Sequence, residues 1–71
     1  MSKQSPMSLV VKHRLMLDVG HGQVTATYYD ESLSETHEFC EYFNYRNELM
    51  PALRKAVNRA AAKAELTKEQ A

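Results

Sequence analysis

The sequence predicts an α+β domain: a three-stranded antiparallel sheet followed by one C-terminal helix packed on one face (βββα). Three stretches predict it. From Leu9 to Val19 alternate positions, all but His13, are apolar, the period of a strand with one buried face. After Gly20-His21-Gly22, a tight reversal, Gln23 to Asp30 is rich in valine, threonine and tyrosine, which favour strands. Beyond Glu48 the spacing changes to three and four, with Leu49, Leu53, Ala56, Val57, Ala60 and Ala64 forming one helical stripe.

In order, residues 1–8 are expected as a flexible tail, with Pro6 standing just before the first strand, where its missing N–H does no harm. On that strand Leu9, Val11, His13, Leu15, Leu17 and Val19 share the inward side. Val10, Lys12, Arg14, Met16 and Asp18 share the other. In the second strand Val24, Ala26 and Tyr28 face inward and Thr25, Thr27 and Tyr29 outward. Asp30 to Glu35 reads as a turn whose Asp and Ser side chains bond back to their own backbone. Thr36 to Phe43 reads as a third strand, with His37, Phe39, Glu41 and Phe43 inward; a shorter, bulged strand fits equally well. Asn44 or Asn47 is the expected helix cap. Pro51 requires either a helix that begins close to Glu48 or a kinked helix that begins at Asn44. The helix is expected from Glu48 to Leu66, and residues 67–71 are expected to fray. The single domain spans 9–66.

Seventy-one residues make at most one domain. A chain this short hides only about 60% of the surface it exposes unfolded. Much of its 44% hydrophobic fraction is alanine, so support from a partner is expected. One cysteine, Cys40, excludes an internal disulfide and points to a reducing, cytoplasmic compartment. The formal charge is zero but segregated. Asp18, Asp30, Glu31, Glu35, Glu38 and Glu41 are the only charges between Asp18 and Glu41. Arg46, Arg54, Lys55, Arg59 and Lys63 dominate the stretch from Arg46 to Lys63.

Catalytic chemistry is not expected. His37-x-x-Cys40 is half of a zinc pair, and residues three apart on a strand point to opposite faces. His13 and His37 share the inward side by parity, without a nucleophile or a third orienting group. Gly20-x-Gly22 lacks the third glycine and the following helix of a dinucleotide site. No metal, cofactor or catalytic residue is therefore assigned.

Binding is the remaining class. One helix covers one sheet face, leaving Met16, Tyr29, Tyr42 and Val10 as interface candidates among Lys12, Arg14, Thr25, Thr27, Glu38 and Cys40. The leading expectation is a small protein-interaction or regulatory module, with a second copy as its first partner. A homodimer would supplement a thin core at roughly 25 cal/mol per Å² of apolar surface covered. The alternative is nucleic-acid binding: Lys55, Arg59 and Lys63 recur every four residues along one helix flank and can follow a phosphate backbone. Over Leu9 to Leu66, the order of three strands and a basic, alanine-rich helix resembles the C-terminal part of double-stranded RNA-binding domains. The first helix of that family is not expected here, and Glu48 and Leu49 stand where it carries lysines.

Overall fold

The computed structural model describes residues 5–70, and side chains over residues 5–67. The elements run α1 (Pro6–His13), β1 (Met16–Gly20), β2 (Gln23–Asp30), β3 (Glu35–Tyr42), a 3₁₀ turn (Arg46–Glu48) and α2 (Leu49–Gln70). The strands form an antiparallel sheet in the order β1-β2-β3. Cross-strand rows are fixed by register: Met16–Thr27–Glu38, Leu17–Ala26–Phe39, Asp18–Thr25–Cys40 and Val19–Val24–Glu41. α2 packs on β2 and β3, and α1 packs against α2. The predicted sheet and C-terminal helix are both present, so the fold is α+β as expected. Among the described residues no helix is long and apolar enough to cross a membrane.

The expected first strand is corrected over its first half. Pro6–His13 is helical, and the strand begins only at Met16. The tail expected through Ser8 is therefore structured from Pro6. Local chemistry explains the helix. Ser5 is extended and its hydroxyl accepts from the Ser8 N–H at 3.2 Å. Pro6 sits in the first turn, where its fixed φ suits a helix and no N–H is needed. Arg14 ends the helix in the left-handed region at φ 55°, and the Leu15 N–H donates to the Val10 carbonyl at 2.9 Å. Leu9, Val10 and His13 face the interior, while Val11 is 75% exposed. Eight residues carry too few repeats for period 2 and period 3.6 to separate, and packing against α2 decides.

The remaining elements follow the sequence closely. The β1–β2 reversal turns at Gly22, φ 74°. In the second turn Asp30 Oδ1 accepts from the Ser32 N–H at 3.0 Å and its hydroxyl at 2.7 Å. β3 is one residue earlier than expected, Glu35 to Tyr42. Neither Asn44 nor Asn47 caps the helix. Instead Glu48 Oε1 accepts from the Asn44 and Tyr45 N–H groups at 3.0 and 3.1 Å, which tightens the 3₁₀ turn. α2 then begins at Leu49, so Pro51 falls in its first turn, where a missing N–H is harmless. The helix runs to Gln70, past the expected end at Leu66.

The core is made of small side chains. Ala56, Val57 and Ala60 of α2 and Val24 and Ala26 of β2 are fully buried, with Leu15 and Ala52 beside them. Leu17, Tyr28, Phe39, Phe43, Leu49 and Leu53 pack around this centre. Alanine at successive turns lets α2 lie close on the sheet. Val19, expected inward, is half exposed, because β1 is an edge strand.

Candidate interaction surface

α2 lies on the inner face and α1 packs against α2 and the core, so among the described residues no helix covers the outer face of the sheet. Alternation along the strands places Met16 and Asp18 there from β1, Gln23, Thr25, Thr27 and Tyr29 from β2, and Thr36, Glu38, Cys40 and Tyr42 from β3. Met16 is 72%, Tyr29 53% and Tyr42 75% exposed. Three of the four expected interface residues are thus on this face. The fourth, Val10, is corrected: it is in α1 and packs on the core. Lys12 and Arg14 are likewise not on the sheet. Lys12 lies in α1 and Arg14 at its cap, so among the described residues the outer face holds Asp18 and Glu38 and no Lys or Arg. Neither carboxylate makes an ion pair among the described residues.

The centre of this face is fixed by its own hydrogen bonds. The Gln23 side-chain amide donates to Thr25 Oγ1 at 3.2 Å and to Cys40 Sγ at 2.8 Å, and Thr25 and Cys40 are 3.3 Å apart. Tyr42 lies opposite Gln23 and Tyr29 lies six residues further along β2. At about 3.4 Å per residue the two tyrosines stand about 20 Å apart, at opposite ends of the sheet. They bracket a polar strip and do not form one apolar patch.

The basic row on α2 is broken at its middle. Arg59 Nη1 is 2.6 Å from Glu41 Oε2 and 3.4 Å from the Cys40 carbonyl, and its guanidinium lies over the Phe39 ring at 5.4 Å. This contact also explains how Glu41 occupies an inward position at the sheet edge. Lys55 borders a cavity of about 550 Å³ between the end of β3 and the start of α2, with Phe43, Asn44, Pro51 and Asn58. Lys63 is half buried further along the helix.

Buried polar groups collect at the opposite end. The His13 side chain is 1% exposed, with Nε2 3.5 Å from Glu65 Oε2 and no hydrogen bond to either ring nitrogen. His37 stacks on Tyr28 with ring centroids 6.1 Å apart, and its Nε2 lies 3.8 Å from Glu35. His13 and Tyr28 both line a cavity of about 330 Å³. Asp30 is held ionised below the usual carboxylate range, chiefly by the Ser32 hydroxyl. Burial opposes this, while backbone N–H groups of Ser32 and Leu33 and the His37 charge reinforce it. Parity anticipated that His13 and His37 would both turn inward, but not that a helix would carry His13. The burial of Asp30 was legible only as a position in phase with Val24, Ala26 and Tyr28. Among the described residues no group of three or more His, Cys, Asp or Glu is arranged to hold a metal ion.

Comparison with known proteins finds no matching family model, no similar curated protein and no similar solved structure.

Proposed function

We propose that this chain is a small cytoplasmic protein-interaction or regulatory module, without catalytic activity of its own, that binds through the outer face of its sheet. The carrying observation is that among the described residues no element covers this face, with Met16, Tyr29 and Tyr42 exposed around a hydrogen-bonded polar centre. Exposed aromatics on a rigid support suit recognition, because they offer area at little entropic cost. A homodimer belongs to the same proposal but uses another surface. Face-to-face stacking on the sheet would oppose two copies of Asp18 and Glu38 with no cation between them. Met7 and Val11, one turn apart on α1 and 61% and 75% exposed, form an apolar ridge that suits a second copy.

A second reading, nucleic-acid binding, is favoured by one observation. α1 supplies a helix ahead of the sheet, so the order α1-β1-β2-β3-α2 now includes the first helix of double-stranded RNA-binding domains. Against it, Arg59 is engaged by Glu41.

Capture from cell lysate, with and without nuclease, separates the readings. The interaction module keeps its partner after nuclease and after Lys55, Arg59 and Lys63 are changed to glutamate, and loses it with Tyr29→Arg or Tyr42→Arg. Loss of all binding on nuclease treatment overturns it in favour of nucleic acid. Sedimentation equilibrium at micromolar concentration tests the dimer, and a mass fixed at 8.1 kDa rejects it.

A further inference from the structure

We propose that the outer sheet face recognises an extended, arginine-bearing protein segment whose two cations stand four residues apart. This rests on the reading above and supplies its partner's chemistry. Three features converge. First, the face offers acceptors and anions: the Asp18 and Glu38 carboxylates, with the Thr25, Thr27 and Thr36 side chains between and beside them. Among the described residues it holds no Lys or Arg to neutralise them. Second, the Gln23 amide, the side-chain N–H group of this face, is already committed to Thr25 and Cys40, so it does not serve the carboxylates. A partner that brings N–H donors and positive charge complements the two carboxylates. Third, Tyr29 and Tyr42 are exposed at the two ends of the strip, and a planar guanidinium stacks on aromatic rings as well as pairing with carboxylates.

Register gives the spacing. Asp18 is in the Thr25–Cys40 row of β1 and Glu38 in the Met16–Thr27 row of β3. They are two strands apart, about 9.6 Å, and two residues apart along the strands, about 6.8 Å, which makes about 12 Å between backbones. An extended segment advances about 13 Å over four residues and returns its side chain to the same side. The bare strip is about three strands wide and eight residues long. It is smaller than the roughly 800 Å² per partner of a standard stable interface, which fits a short segment better than a folded domain.

The test uses the intact chain, isotope-labelled, with three short threonine–serine peptides. One carries arginine at positions i and i+4, one at i and i+2, and one carries glutamate at i and i+4. The i, i+4 arginine peptide should shift the amides of Met16, Asp18, Thr25, Thr27, Glu38 and Cys40 and bind tighter than the i, i+2 peptide, while the glutamate peptide should not bind. Asp18→Asn with Glu38→Gln should weaken the first peptide about tenfold, the effect of removing two exposed ion pairs. These changes are isosteric and exposed, and an unchanged spectrum elsewhere shows that the variant is folded. Shifts confined to α2, equal binding of both arginine peptides, or unchanged affinity in the variant each overturn the proposal. So do concentration-dependent shifts of the same amides in the protein alone, which would place a second copy there. If no arginine peptide binds while lysate capture still depends on Tyr29 and Tyr42, this inference fails and the interaction-module reading stands.

Discussion

Replacing Ala60 by leucine probes the contact on which the fold depends. Ala56 and Ala60 are fully buried and Ala64 is 1% exposed, on successive turns of α2. A methyl group is all that separates this line of the helix from the sheet. Ala60 is fully buried in one cluster with Val24 and Ala26, so three further heavy atoms there require α2 to lift or Val24 and Ala26 to shift. Overpacking of this kind costs about 1–3 kcal/mol. A single small core supplies about 3–5 kcal/mol in total. A loss of about 2 kcal/mol therefore removes around half the stability. For a chain of this size, about 4–8 °C is lost per kcal/mol, so the melting temperature should fall by about 8–16 °C. Circular dichroism melts of Ala60→Leu and of Ala62→Leu, on the exposed side of the same turn, make the comparison. Ala62→Leu changes helix propensity by the same small amount and should leave the midpoint within a few degrees. Equal midpoints for the two variants would show that the helix–sheet contact is not close-packed and that alanine at position 60 is incidental to it.

Four further outcomes are expected. His13→Leu should raise the melting temperature, because a buried imidazole without hydrogen bonds costs about 1–3 kcal/mol and leucine does not; a lower midpoint would mean that the Glu65 contact holds α1 in place. A double-mutant cycle on Arg59→Met and Glu41→Gln should give a coupling of at most about 1 kcal/mol, shrinking in high salt, since the Arg59 side chain is 54% exposed. Asp30, whose folded pKa is depressed below the ordinary 3.8, contributes stability that is present above that value and lost as pH falls through the folded pKa; acid melts of Ser32→Ala should show a smaller loss over that window, and equal losses would exclude the Ser32 hydroxyl as the cause. Gly22→Ala should destabilise by about 1 kcal/mol, having φ 74° and a Cβ 3.2 Å from the Phe43 carbonyl, whereas Gly20→Ala meets nothing within 4 Å and should be neutral in urea titrations.

The hairpin and α2 were legible because each is long enough to repeat its period. Val24 and Ala26 alternate over eight residues of β2, and the α2 stripe continues for several turns. The first helix was not legible from hydrophobicity, since Leu9-Val10-Val11 is as good a strand as a helix. The signal that separates the two is local: Ser5 before Pro6, a cap followed by a residue already set for a first turn. The surface inherited that error. Met16, Tyr29 and Tyr42 keep their face whether the chain before Met16 is strand or helix, because their register is set within the sheet. Val10, Lys12 and Arg14 precede Met16, so their places changed completely.

That relocation changes the charge of the outer face. With Lys12 and Arg14 on the outer face its charges would balance; on α1 and its cap they leave Asp18 and Glu38 without a cation on that face among the described residues. The fold tolerates this at little cost. With backbones about 12 Å apart and both side chains exposed to salt that screens over roughly 8 Å, Asp18 and Glu38 repel each other only weakly, so they hardly oppose folding. The inner face differs: Glu41, only 20% exposed, lies within 2.6 Å of Arg59. A carboxylate that loses water on folding has a partner within the chain, whereas Asp18 and Glu38 keep their water until something covers them. Whatever covers them must then offset the cost of removing that water with charge and hydrogen bonds of its own. An apolar surface cannot do so, and a second copy of the same face would add two more carboxylates. A cationic segment meets the requirement, and because exposed pairs are weak and salt-sensitive, its binding should be fast, reversible and dependent on ionic strength.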